Sequence, residues 1–224
     1  MLPRIAIDGP AGAGKSTVAH GVARALGYTY VDTGAMYRAV AWKAQQAGLT
    51  LDQEDSLVPL AAEIHLAFTE EADGRLHVWI DGVDRTDEIR RPEVTEFASP
   101  VSAIPGVRAH LVAKQRQFAA GGGVVMEGRD IQTVVLPEAE VKVFLNASLE
   151  ERARRRFEEL RAQGVEVELE EVAARIRERD ERDSHRAIAP LRAAEEAILI
   201  DTDPLTVEEV VARVVALARE VASA

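Results

Sequence analysis

In Gly9-Pro10-Ala11-Gly12-Ala13-Gly14-Lys15-Ser16-Thr17, the eight residues from Gly9 to Ser16 fit the pattern G-x-x-x-x-G-K-[ST]. In that pattern successive backbone N–H groups wrap the phosphates of a nucleoside triphosphate. Glycine at positions 9, 12 and 14 lets the chain curl without Cβ clashes, turning its N–H groups toward anionic oxygens. Lys15 supplies a cation for the β- and γ-phosphates, and the Ser16 hydroxyl is of the kind that ligates Mg²⁺. A helix opening here adds the positive end of its dipole. The apolar run Ile5-Ala6-Ile7 before the loop and the helical spacing of Val18, Val22, Ala25 and Leu26 after it supply the strand-to-helix context. The motif implies binding of ATP or GTP.

Three further groups have types and spacings suited to phosphoryl chemistry. In Asp32-Thr33-Gly34-Ala35-Met36-Tyr37-Arg38, Thr33 is a candidate helix N-cap. If the helix starts at Ala35, Arg38 lies one turn along it, in reach of an acceptor phosphate. Gly128-Arg129-Asp130 follows an apolar run and puts a guanidinium and a carboxylate at the carboxyl end of a predicted strand. Ligands gather there in open α/β sheets, although a structural ion pair would look the same. Arg175, Arg179, Arg182 and Arg186 fall at i, i+4, i+7 and i+11, one continuous helical stripe. With Glu178 and Asp183 beside them they read either as a solvated, salt-bridged face or as a clamp on phosphoryl charge. Next to a phosphate loop the clamp is the better reading.

The elements that must position these residues follow from the apolar pattern. Runs at 4–8, 28–32, 124–127, 141–146 and 197–201 read as buried strands, mostly separated by helical patterns. That alternation predicts a parallel sheet with helices on both faces. The last helix has a capping box, Thr206 with Glu209, and a stripe of Val207, Val210, Val211, Val214, Val215 and Leu217. Between about 65 and 90 the pattern turns β-like, with Leu76-His77-Val78-Trp79-Ile80 followed by the turn pair Asp81-Gly82, which predicts a small inserted lobe. Residues 150–187 are crowded with charge.

Bulk composition narrows the partners. The 224 residues carry a net charge of −11, which disfavours sustained binding to DNA or RNA. Only four of the 27 basic residues are lysine, and arginine is the better fork for phosphate. With no cysteine, disulfides and thiolate metal sites are excluded. Met1-Leu2-Pro3-Arg4 leads directly into the first predicted strand, and no apolar run approaches a membrane span. A cytoplasmic protein, not membrane-bound and monomeric, is expected.

A GTP-dependent switch would need an N-K-x-D motif, yet the only asparagine is Asn146, in Leu145-Asn146-Ala147-Ser148. Remodelling ATPases usually end the neighbouring strand in paired acids, whereas this one ends Met126-Glu127-Gly128-Arg129-Asp130. A small-molecule kinase needs an acceptor pocket, cations around the transferred group and a lid that excludes water. The groups above offer one candidate for each. A kinase for another acceptor (AMP, UMP or shikimate) and a non-catalytic ATP-binding regulator remain open.

Together Ile7 to Thr17, Asp32 to Arg38, Gly128-Arg129-Asp130 and Glu178 to Asp183 through Arg186-Ala187-Ile188-Ala189-Pro190 resemble the bacterial cytidylate kinases, over essentially the whole chain. The resemblance implies ATP-dependent conversion of CMP and dCMP to CDP and dCDP, in pyrimidine nucleotide metabolism, with Mg²⁺. It implies an α/β fold of the P-loop NTPase type: a five-stranded parallel sheet with an inserted NMP-binding lobe, a small antiparallel sheet and a short lid. The core would take residues 1–33, 106–149 and 188–224, the lobe about 34–105 and the lid about 150–187. Residues 9–17 would hold ATP, with Arg154 to Arg156 beginning the lid over it, Arg154 and Arg156 among its ligands. Lys15, Arg129 and Arg186 would serve catalysis. Arg38 and Arg129 would contact the CMP phosphate, with Thr33 and Tyr37 in the same substrate site and Arg186 at the transferred group. Ser99, Arg108 and Asp130 would face cytosine, and Arg179 and Asp183 the sugar.

The base assignment is chemically sound. Cytosine presents an N4 donor to Asp130 and acceptors at N3 and O2 to Arg108, whereas uracil would turn an O4 acceptor on the carboxylate. That mismatch costs about 1–3 kcal/mol. Two positions depart from the family pattern: Gln132 stands where glycine is common, and Glu127 where aspartate often appears.

Overall fold

Two neighbouring strands set the level of everything at the site. In the computed structural model, which describes residues 2–71, 75–162 and 164–223, β1 (Arg4–Asp8) pairs in parallel with β6 (Val124–Gly128) and with β7 (Val141–Asn146). Residues 1, 72–74, 163 and 224, which fall within the core, lobe and lid expected from the sequence, lie outside that description. The register puts Asp8 opposite both Gly128 and Phe144, so β1 and β6 end level, their loops emerge side by side, and β7 runs on two residues further. The remaining strands are β2 (Thr29–Asp32) and β8 (Ile198–Asp201), and the five-stranded parallel sheet runs β2-β6-β1-β7-β8. Ile5, Ile7, Val125, Met126, Val143 and Leu145 are wholly buried. Strands covered on both faces need such unbroken apolar runs.

The chain divides into two compact units, one up to Tyr30 and from Ala119, the other Val31–Phe118. Residues 106–118, assigned to the core by the sequence reading, group with the second unit. In the first unit α1 (Lys15–Leu26) packs on β6 and on α8 (Val207–Ser223). Gly21 permits the helix contact, since a Cβ there would stand 2.8 Å from Val211. The predicted capping box opens α8: Thr206 N–H donates to Glu209 and Glu209 N–H to Thr206 Oγ. Two charged helices, α6 (Leu149–Ala162) and α7 (Leu169–His185), share an apolar cluster of Ala153, Leu160, Val172 and Ile176. Residues 186–197, which lead back to β8, form neither helix nor strand.

In the second unit α2 (Thr33–Gln46) is followed by α3 (Glu54–Glu63), β3 (Leu66–Glu70), β4 (Leu76–Ile80), β5 (Val83–Asp84), α4 (Pro92–Val101) and α5 (Pro105–Ala119, ending just past the unit boundary). The three strands form the expected small antiparallel sheet. Asp81 and Gly82 both take positive φ, as a tight hairpin turn of the primed class requires. The start of α2 differs from expectation. Asp32, not Thr33, is the N-cap: its carboxylate accepts from Ala35 N–H at 2.8 Å, and the helix begins at Thr33. A carboxylate offers the stronger acceptor for an unpaired helix N–H, so it displaces the hydroxyl one residue later.

Candidate active site

The phosphate loop joins β1 to α1. At Gly9 a Cβ would lie 2.1 Å from the Leu145 carbonyl oxygen, and at Gly12 it would lie 3.0 Å from the Arg152 Cβ. Both positions therefore exclude a side chain on space as well as on backbone angle. Lys15, in the first turn of α1, curls back and donates from Nζ to the Pro10 carbonyl at 2.7 Å. Burial pushes its pKa down to about 7, and the nearby guanidiniums of Arg129 and Arg179 push the same way, against Glu127 and Asp8. A buried ammonium repelled by two arginines is the electrostatic signature of an anion site.

Carboxylates close the loop's lower side. Ser16 Oγ donates to Glu127 Oε1 at 2.5 Å, and Tyr30 hydroxyl donates to the same oxygen at 3.1 Å. Glu127 is the penultimate residue of β6, the strand beside the loop strand, so a hydroxyl and a carboxylate oxygen converge there. Hard oxygen ligands of this kind suit Mg²⁺. Asp8 is fully buried and accepts from Ile131 N–H at 3.0 Å and Gln132 N–H at 2.9 Å. Burial nevertheless raises its pKa to about 7.

The arginines of the first unit separate into two groups. Arg129 Nε donates to Asp183 at 3.0 Å, Arg179 Nε lies 3.9 Å from the same carboxylate, and Arg186 lies 3.9 Å from Asp130. Burial would raise the Asp183 pKa, but Arg129, Arg179 and Arg186 outweigh it and hold the carboxyl below its ordinary value. Arg175 and Arg182, by contrast, pair with Glu171 and Glu178 four residues back, in solvent. The expected four-arginine stripe is therefore broken. Helix α7 ends at His185 and Arg186 is extended, so its side chain leaves the helical face.

Helix α6 shows the same division. Arg154 pairs with Glu151 and Glu158, and Arg156 pairs with Glu159. The two residues that adjoin the loop are Arg152 and Arg155. Arg152 donates to the carbonyls of Ala11 and Ala147 and to Asp180. Arg155 donates to Thr202, and its Nη1 is 3.8 Å from where a Gly14 Cβ would stand. Sequence reasoning missed Arg152. Its signal was spacing: in the first turn of a helix that follows a strand end, it faces back toward the loops.

The second unit holds the other predicted residues. Arg38 donates to the N-cap carboxylate of Asp32 at 2.8 Å, one turn along α2 as expected. Thr33 and Tyr37 are buried in the same helix. Arg108, buried on α5, donates to the Tyr37 hydroxyl at 3.3 Å and to the Ser102 carbonyl at 3.2 Å, with its guanidinium 5.9 Å above the Tyr37 ring. Ser99 is buried on α4, and its carbonyl accepts from the Ser102 hydroxyl. Tyr37 and Arg108 are thus brought together, and Arg38 is held by Asp32, a partner the sequence did not announce.

The family model described as cytidylate kinase matches residues 5–220. A cytidylate kinase of Caldanaerobacter subterraneus is 53% identical over 214 residues, covering 96% of this chain and 93% of that protein. A bifunctional pantoate ligase/cytidylate kinase of Synechococcus is 54% identical over 220 residues, 97% of this chain, and the chain spans 41% of that relative's length. Among solved structures, a gluconokinase from Sinorhizobium meliloti superposes with a TM-score of 0.50 at 16% identity, over 99% of this chain and 94% of that one. That likeness establishes the fold alone. Among the described residues no helix is long and apolar enough to cross a membrane.

Proposed function

This chain belongs to the cytidylate kinase family, and we propose that it transfers the γ-phosphoryl of ATP to CMP and dCMP, releasing ADP with CDP or dCDP. The observation that best supports this is the buried Lys15, repelled by Arg129 and Arg179 where the loops after β1 and β6 emerge side by side. Transfer would proceed in line. A CMP phosphate is already largely ionised near neutral pH, so its oxygen attacks without a general base. Catalysis then rests on positioning and on charge stabilisation by Lys15, Arg129 and Arg186.

Residues 9–17 would hold ATP. Ser16 with Glu127 would hold Mg²⁺, which when bound supplies positive charge to the phosphate oxygens. Arg38 and Arg129 would take the CMP phosphate, Arg108, Ser99 and Asp130 the cytosine, and Arg179 with Asp183 the sugar. Thr33 and Tyr37 would line the substrate's side of α2, with Tyr37 backing Arg108. Helices α6 and α7 would form the lid, with Arg152 as its contact nearest the loop and Arg155 beside it, and closure would keep water from ATP.

The test is ADP formation from Mg-ATP with CMP, dCMP, UMP, AMP and shikimate offered separately. Strong stimulation by the two cytidylates and weak stimulation by UMP is expected. Preference for any other acceptor would overturn the cytosine assignment, and no stimulation by any would overturn the kinase.

A further inference from the structure

Arg186 stands at the head of an irregular segment, residues 186–197, that forms neither helix nor strand. Its guanidinium geometry depends on that segment, because Nε donates to the Ala189 carbonyl at 2.6 Å. Ala189 has φ of 52°, a left-handed conformation unusual for alanine, which persists only where the surroundings fix it. Among the described residues its anchors include Leu191 N–H to the Asp183 carbonyl, the Lys142–Glu196 ion pair, and Ala194 N–H to the side chain of Gln132.

Gln132 is the anchor that reaches the rest of the site. It sits two residues after Asp130, in the turn Ile131–Val135, and is 1% exposed. Its Oε1 accepts from Ala194 N–H at 2.9 Å, and its Nε2 donates to the Val143 carbonyl of β7 at 3.2 Å. The partners are one donor and one carbonyl, so the amide has a single orientation. Its own backbone N–H donates to Asp8, the residue immediately before the phosphate loop. One buried residue therefore joins the end of β1, the middle of β7 and the segment that follows Arg186. A glycine at this position would supply only the bond to Asp8.

We infer that Gln132 is a positioning residue for phosphoryl transfer: it pins the 186–197 segment so that the Arg186 guanidinium, 3.9 Å from Asp130, is oriented before substrates arrive. This rests on the reading that Arg186 acts at the transferred group.

The experiment is a double-mutant cycle on turnover with Mg-ATP and CMP, using Gln132→Met, Arg186→Ala and the pair, each checked by thermal unfolding. Methionine keeps the volume and the backbone bond to Asp8 while removing both side-chain bonds. Gln132→Met is expected to lower kcat by about tenfold, within the ~100-fold that a 1 Å misplacement can cost, and to leave KM for ATP unchanged. In the Arg186→Ala background the same change is expected to alter kcat by less than about twofold, because the coupled partner is gone. Equal fold losses in both backgrounds, or wild-type kcat in Gln132→Met, would overturn the positioning role while Arg186→Ala remains slow. Wild-type kcat in Arg186→Ala would instead overturn the role of Arg186, and this inference with it. Should Gln132→Met fail to fold, Gln132→Gly enters the same cycle.

Discussion

Helices α6 and α7 carry arginines in two environments. Arg152 is 8% exposed, bound to two carbonyls and Asp180, and Arg179 lies against the buried Asp183. Arg154 and Arg175, on the same two helices, are 53% and 54% exposed and pair with glutamates one turn away. Residue type and helical spacing are alike in both sets. The difference is what lies across from each side chain, and under the proposed function that separates the arginines placed to act on a phosphoryl group from those that only face solvent. A solvated guanidinium with a glutamate beside it is worth little to stability and is screened from any ligand. One turned to the buried side, near Lys15, sits where solvent screens its charge less and an anion would feel it more strongly.

The comparison breaks hardest at its buried pole. Lys15→Ala should cut kcat by at least about 100-fold, the scale for losing one preorganised charge donor in a transition state. Its melting temperature should hold or rise, since burial and Arg129 already disfavour that cation. Activity retained, or a collapse in stability, would remove Lys15 from the chemistry.

Arg152→Ala should destabilise the fold by about 3–5 kcal/mol, the cost of leaving buried partners of a cation unpaired, as read by denaturant unfolding. A loss below about 1 kcal/mol would place Arg152 with the surface set. Asp183 offers a pH test. Its folded pKa lies below the ordinary value, so it favours the native state above about pH 4 and loses that contribution as pH falls through the lower, folded value. Stability of Asp183→Asn should accordingly fall less steeply than wild type below pH 4, and an unchanged slope would deny the ion-pair network. The smallest effect belongs to Arg175→Gln: less than about 0.5 kcal/mol in stability and unchanged turnover.

The same contrast explains what was legible in the sequence. The phosphate loop, the five strands and the capping box of α8 are local: each depends on residues within a few positions, so motif and period suffice. The Ser16–Glu127 bond and the loop-facing role of Arg152 depend on partners far along the chain, whereas the N-cap at Asp32 is local and turned on which of two adjacent capping residues wins. Charge periodicity alone placed Arg182 and Arg186 on one stripe. It had no way to show that α7 stops at His185, although the Glu178 it placed beside the stripe does pair with Arg182. Gln132 registered only as a departure from a glycine pattern, because its two side-chain partners lie 11 and 62 positions away.

Arg179 and Arg182 stand three residues apart on α7, one facing the buried Asp183 and the other the solvated Glu178, so turnover of Arg179→Gln beside Arg182→Gln, with Mg-ATP and CMP, tests the account most directly. A charge-assisted contact of about 1.5–3 kcal/mol corresponds to a roughly ten- to hundred-fold loss of kcat/KM for Arg179→Gln, with Arg182→Gln within about twofold of wild type. Equal losses in the two variants, or the larger loss in Arg182→Gln, would contradict it.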